Sequence, residues 1–148
     1  MKVSTKGRYG LRAMLDIAVH AQNGNPVLLS DIVKREAIPR KYLEQIFSTL
    51  HRAGLVNTVR GRKGGYLLAR PADKINLADI VRVLEGPCTL VECVRDSSVC
   101  ARTEQCVTHD VWRLLSEKVN EVLTGLSLAD LARMQKSKRD HAAGMYHI

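Results

Sequence analysis

The segment CVRDSSVCARTEQCVTH gathers Cys93, Cys100, Cys106 and His109 into 17 residues, spaced C-x6-C-x5-C-x2-H. The chain has one further cysteine, Cys88. Three thiolates and an imidazole suit a tetrahedral zinc ion. They equally suit a [2Fe–2S] cluster with one histidine ligand. Disulfide bonding and plain loop thiols are the other two uses of such residues. The tight C-x2-C pair of zinc ribbons and fingers is missing. Long polar spacers predict a loose loop around something larger or more exposed. Such a loop gains order with its metal, because metal binding and folding share free energy.

The compartment narrows these options. No run of eighteen apolar residues is present, which excludes a membrane-spanning helix. The first twenty residues carry charges through their middle and lack the apolar stretch of a secretory signal. The expected location is cytoplasmic, where a reducing environment disfavours structural disulfides. No nucleophile–base–orienter set and no dinucleotide fingerprint occurs. The expected function is therefore not enzymatic, with no small-molecule substrate and no membrane partner.

Charge divides the 148 residues into unlike halves. Residues 1–71 hold 13 Lys/Arg and 4 Asp/Glu, whereas residues 72–148 hold 10 Lys/Arg and 11 Asp/Glu. The net charge of +8 thus resides in the first half. A basic head on a near-neutral body suggests a polyanion-binding module. A solvated basic face without a partner is the plainer alternative. A hydrophobic fraction of 45% with one Trp and one Phe predicts an aliphatic core.

The elements that must position these residues follow from periodicity and turn chemistry. Residues 5–22 read as a helix with Leu11, Met14, Leu15 and Ala18 on its apolar stripe and Arg8, Arg12 and Asp16 on other faces. NGNP at 23–26 ends it, and VLL at 27–29 has the makings of a short strand. Ser30 is the expected cap of a second helix to about Glu36. Pro39 fits the first position of a third helix, which carries Leu43, Ile46, Phe47 and Leu50 inward and stops at Gly54. Two β-prone runs, 55–60 and 65–69, flank GRKGG and predict a hairpin with a basic tip. A phosphate-binding P-loop fails there, because no Gly-Lys-Ser/Thr follows and the next residues are strand-like. Asn76 caps a helix over 77–85, and Gly86-Pro87 ends it. A long helix is expected over 107–123, with Val111, Leu114, Leu115, Val119, Val122 and Leu123 in a wide apolar stripe. Ser127 with Asp130 reads as a capping box for a short helix, 128–134.

Three helices followed by a basic hairpin is the order of a winged helix-turn-helix. The fold class is therefore mainly α with a small β-hairpin wing, plus a long dimerisation helix. The third helix would meet the major groove with its N-terminal end. Arg40, Lys41, Tyr42, Glu44 and Gln45 lie there. Glutamine can bond adenine, and glutamate can accept from cytosine. Arg60, Arg62 and Lys63 at the wing, with Lys6 and Arg8 at the first helix, are phosphate or minor-groove candidates. The stripe on the long helix is wider than one short neighbour needs, which predicts a homodimer reading a roughly palindromic double-stranded operator. The expected divisions are 1–71 for the DNA-binding region, 72–134 for a linker helix, the cysteine loop (88–109) and the dimerisation helix, and 135–148 for a flexible C-terminal tail.

The stretches STKGRYGLRAMLDIA, YLEQIFSTLHRAGLV, RGRKGGYLLARP, DIVRVLEG and CVTHDVWRLLSEKV together give the chain a familiar look. It resembles the bacterial family typified by the iron–sulfur cluster regulator IscR, which includes the nitric-oxide sensor NsrR and the cysteine-metabolism repressor CymR. The likeness spans residues 1–134. It implies a winged-helix homodimer crossed through the long helix, and control of cluster-assembly and iron or sulfur genes. It implies a [2Fe–2S] cluster held by Cys93, Cys100, Cys106 and His109. It also implies base reading by Lys41, Tyr42, Glu44 and Gln45, with a wing arginine at Arg60. In NsrR-like members a [4Fe–4S] cluster takes an acidic ligand instead. Zinc remains the other metal alternative. The intact CVTH favours the [2Fe–2S] type. The sequence departs from IscR in a first cysteine spacing one residue longer, in the extra Cys88, in Lys41 where a small hydroxyl residue is usual, and in a wing tip without proline. Its final MYHI is similar to CymR-like chains.

Overall fold

The structure, a computed structural model, describes residues 2–21 and 23–145. The expected helix end at Gln22 and the closing Tyr146–Ile148 lie outside them. Seven helices and one hairpin follow in order: α1 (Thr5–His20), α2 (Leu29–Glu36), α3 (Arg40–Arg52), β1 (Val56–Val59), β2 (Gly65–Leu68), α4 (Leu77–Glu85), the single turn α5 (Glu92–Arg95), α6 (Val107–Gly125) and α7 (Leu128–Gly144). The expected class, mainly helical with a two-stranded wing, is what the chain adopts. No helix among the described residues is long and apolar enough to cross a membrane.

The core forms where α1, α3 and α4 meet. Ala13, Met14 and Ile17 of α1, Leu43, Ile46, Phe47 and Leu50 of α3, and Ile80 and Leu84 of α4 are all buried. Leu11, Leu15 and Ala18 pack against this core from its edge. Asp16 is the exception to the expected facing, because it is buried. The Arg35 guanidinium meets it with Nε and Nη2 at 2.8 and 2.7 Å, which makes burial of its charge tolerable. Two helix starts shift. Leu28, not Ser30, precedes α2, and its carbonyl accepts from Asp31 and Ile32. Pro39 stands just outside α3, held extended at ψ 130°, and its carbonyl accepts from Tyr42 and Leu43. Ala37 makes the left-handed turn between the two helices at φ 51°.

The wing pairs Val56 with Leu68 and Val59 with Gly65, leaving 60–64 as its tip. Val27 bridges to Tyr66, with reciprocal N–H···O bonds of 2.9 Å, so the predicted strand at 27–29 shrinks to one bridge. Tyr66 stacks on Phe47 at 4.1 Å between ring centroids, which fixes the wing to α3. A side chain at Gly65 would run into the Val27 carbonyl.

Past the wing, Ile75, Leu77 and Leu128 complete the same core. Leu77 donates to the Leu126 carbonyl at 2.9 Å, and Leu128 donates to that of Ile75 at 2.8 Å. The basic head is therefore not closed by residues 1–71 alone. The capping box at Ser127 and Asp130 is present as expected. The helix it starts runs to Gly144, however, so residues 135–144 are helical where a flexible tail is expected. Gln, Lys, Arg and Ala sustain that helix through intrinsic propensity, without an apolar stripe.

Candidate nucleic-acid interface and cysteine loop

α3 turns its apolar face to α1, which leaves Arg40, Lys41, Glu44 and Gln45 exposed along its first two turns. Tyr42 differs. It is half-buried, edge-on to Tyr9 at 5.9 Å and 79°, so its ring helps to seat α3 on α1. Arg40 bonds Glu44 through Nε at 3.1 Å, one helical turn along. Glu44 is thereby partly neutralised by its own helix. Arg60, Arg62 and Lys63 are all exposed on the wing tip. Arg8 is exposed and Lys6 half-buried on the first turns of α1. Among the described residues Lys6, Lys41, Arg60, Arg62 and Lys63 form no ion pair, so their charge is unspent. The N-terminal end of α3, the wing tip and the start of α1 thus supply the three basic sets that the sequence singles out.

Three contacts that sequence reasoning missed hold this head in shape. Asp16 and Arg35 lock α2 to α1, and Arg12 adds a bond to Glu36 at 2.8 Å. Charge on both helices was visible in the sequence, but not the pairing. Glu85, the last residue of α4, reaches the N-cap of α1 at Ser4. The only sequence signal for that approach is the Gly7/Gly10 pair inside α1, where a side chain would strike Glu85 and Leu84 respectively.

The cysteine segment begins after Gly86, whose φ of 87° turns the chain away from α4. Leu90 donates its N–H to the Ser116 hydroxyl at 3.2 Å, and Ser116 donates to the Trp112 carbonyl at 2.8 Å. These bonds pin the start of the loop to α6. Cys93 sits on α5. Asp96 then caps a 3-10 turn, Ser97–Val99, by accepting from Ser98 at 2.9 Å. The Cys100 carbonyl accepts from the Thr103 hydroxyl at 2.7 Å. Cys106 stands at the N-cap of α6, and His109 lies in its first turn. Hydrogen bonds from the Thr108 hydroxyl and then the His109 N–H hold the Cys106 thiol below its ordinary range. All four cysteines are free and half-buried. Cys88 stands apart, lining a groove of about 670 Å³ with Arg82, Arg113 and Asn120.

The loop is thus a chain of single turns held by local polar bonds, with no side chain in the buried core. The donor set, three thiols and an imidazole, fits zinc or an iron–sulfur cluster in kind. The structure does not gather it, since among the described residues no three Cys, His, Asp or Glu side chains are grouped to hold a metal.

α6 leaves Val111, Leu114 and Val122 on its surface, each about half exposed. Val119 and Leu123 are partly covered, and Leu123 reaches the core.

Comparison with known proteins matches this arrangement. The sequence profile of Rrf2, an iron-dependent transcriptional regulator, covers residues 3–134. The HTH-type transcriptional regulator IscR of Xenorhabdus nematophila is 42% identical over 136 residues, which span 92% of this chain and 82% of the relative. The solved structure of T. potens IscR is 39% identical, with a TM-score of 0.73 over 91% of this chain and 88% of that one. That of CymR, the global cysteine regulator of B. subtilis, is also 39% identical, with a TM-score of 0.76 over 90% of this chain and 98% of the other. A winged helix, an unspent basic face and a profile match across most of the chain agree, and the protein belongs to the Rrf2 family of DNA-binding transcriptional regulators.

Proposed function

We propose that this regulator senses iron–sulfur status through a [2Fe–2S] cluster held by Cys93, Cys100, Cys106 and His109. One observation carries the reading: three thiols and an imidazole lie within 17 residues, on a loop that stands outside the core of a member of an iron-dependent family. When bound, the cluster supplies a redox-sensitive, removable cross-link between segments of the loop. The protein's part is conformational. Cys106 and His109 lie at the start of α6, so drawing the loop together moves the end of the helix that carries the exposed apolar face. That face pairs two copies of the chain. The pairing sets the distance and angle between two heads on a roughly palindromic operator.

On each head, Arg40, Lys41, Tyr42, Glu44 and Gln45 serve the major groove. Lys6, Arg8, Arg60, Arg62 and Lys63 serve phosphate or the minor groove. The targets are genes of cluster assembly and of iron or sulfur metabolism, in the cytoplasm. A second reading is a regulator of cysteine metabolism without a cluster, which the close likeness to CymR favours.

Anaerobic purification, a visible spectrum, and iron, sulfide and zinc analysis on one sample decide between them. Iron and acid-labile sulfide in near-equal amounts support the cluster. Their loss on replacing Cys93, Cys100 or Cys106 with Ala, in a protein that stays folded and binds DNA, assigns the ligands. Stoichiometric zinc, with no uptake of a cluster on reconstitution, refutes the sensor reading.

A further inference from the structure

We propose that Glu85 is a positioning residue for DNA binding, acting through Ser4 on the turn that carries Lys6 and Arg8. The contact spans 81 residues of sequence. The Ser4 N–H donates to Glu85 Oε1 at 3.1 Å, and the Ser4 hydroxyl donates to the same oxygen. That hydroxyl also accepts from the Gly7 N–H at 3.0 Å, as the N-cap of α1. Glu85 therefore fixes the cap, and the cap fixes the first turn. A carboxylate here is favoured by the positive end of the helix dipole.

The approach is built in. At Gly7 a Cβ would strike the Glu85 carboxylate, and at Gly10 it would strike Leu84. Glycine within a helix costs roughly 0.5–1 kcal/mol relative to alanine, so two on one face mark a contact that needs the space. Among the described residues Glu85 makes no ion pair, so it does not neutralise Lys6 or Arg8. Its bonds go to the backbone and hydroxyl of Ser4.

Position and charge predict opposite signs for its removal, which makes the role testable. A carboxylate near phosphate-facing cations repels DNA, so loss of charge alone tightens binding. Loss of the positioning weakens it. The proposal rests on the reading that Lys6 and Arg8 meet phosphate. The protein, as purified, is titrated onto a short mixed-sequence duplex across a range of salt. For Glu85→Ala we expect affinity to fall about 3- to 10-fold and the slope of log K against log salt to shrink by about 1, near the value of one phosphate contact. Glu85→Gln keeps an acceptor oxygen for Ser4 and restores the slope. Tighter binding by Glu85→Ala with an unchanged slope overturns the proposal.

If Glu85→Ala does not fold, Ser4→Ala removes only the hydroxyl. It is expected to shrink the slope in the same direction, and an unchanged slope there also overturns the role. Lys6→Ala and Arg8→Ala separate the two readings. If both leave the slope unchanged, the phosphate assignment fails and the proposal falls with it. If they lower it while Glu85→Ala does not, only the positioning role fails.

Discussion

Replacing Arg35 with Met tests how the recognition unit is held. Only Ile32 of α2 is fully buried, so α2 owes much of its placement to polar bonds. The Asp16 side chain is 1% exposed and receives both Arg35 nitrogens, while His20 Nδ1 stands 3.3 Å from it. Removing the guanidinium leaves a buried carboxylate with one weak partner. Breaking such a pair costs about 3–5 kcal/mol. The Arg35 side chain is 34% exposed, so water can partly replace it, which favours the lower end of that range. We expect Arg35→Met to cost about 3 kcal/mol, equivalent to a fall of roughly 10 °C in Tm. Adding Asp16→Leu removes the stranded charge and should bring stability back to within about 1 kcal/mol of the parent. Urea unfolding followed by helical far-UV signal is the assay, because the single tryptophan lies on α6 and on neither helix of this pair. A cost below about 1 kcal/mol for the single change, or a double variant no more stable than the single, refutes the argument.

Glu44→Ala should relax the choice between operator-like and scrambled duplexes while raising affinity for both. An unchanged preference in competition binding removes Glu44 from base reading. Val111→Glu with Leu114→Glu places charge on the exposed stripe of α6 and should weaken self-association about 100-fold or more, with the fold retained. A sedimentation mass identical to that of the parent protein contradicts pairing through that face. Asp130 is held below the usual carboxylate range, first by the Ser127 hydroxyl and then by the Ser127 N–H, with Arg133 adding to both. A depressed folded-state value means that the box stabilises α7 above the unfolded carboxylate pKa and loses that contribution as pH falls through the lowered one. Ser127→Ala should raise the Asp130 midpoint in an NMR titration, and an unmoved midpoint argues against the hydroxyl as the main cause.

Local signals carried most of the fold. The apolar spacing of Leu43, Ile46, Phe47 and Leu50 gave α3, and Asn76 and the Ser127/Asp130 pair marked two helix starts. GRKGG marked the wing tip because glycine and charge together suit little else. What failed was whatever depends on partners distant in sequence. Asp16 is covered by Arg35, 19 positions on, a partner that helical periodicity does not reveal. Ser4 and Glu85 carry no shared pattern, and only Gly7 and Gly10 hinted that something came close. The extension of α7 was missed because MQKSKRDHAAG has no amphipathic period, and exposed helices without one leave only propensity to read. Cysteine spacing named a donor set in kind. It does not say how a loop of single turns is folded, and among the described residues no three of the donors are grouped to hold a metal.

The paired backbone bonds at Leu77–Leu126 and Leu128–Ile75 have a consequence for how the chain can change over time. They tie the two ends of residues 77–126 side by side, so everything between is an excursion that leaves the head and returns to the same place. Within it, α4 is committed to the core, but the stretch from Gly86 to Cys106 is not. Lengthening such a stretch costs little, about 0.6 kcal/mol for each doubling. Residues can therefore be gained or lost between Cys93 and Cys100 without disturbing the helices of the head. The cysteine segment is free to drift in length while the winged-helix head stays fixed.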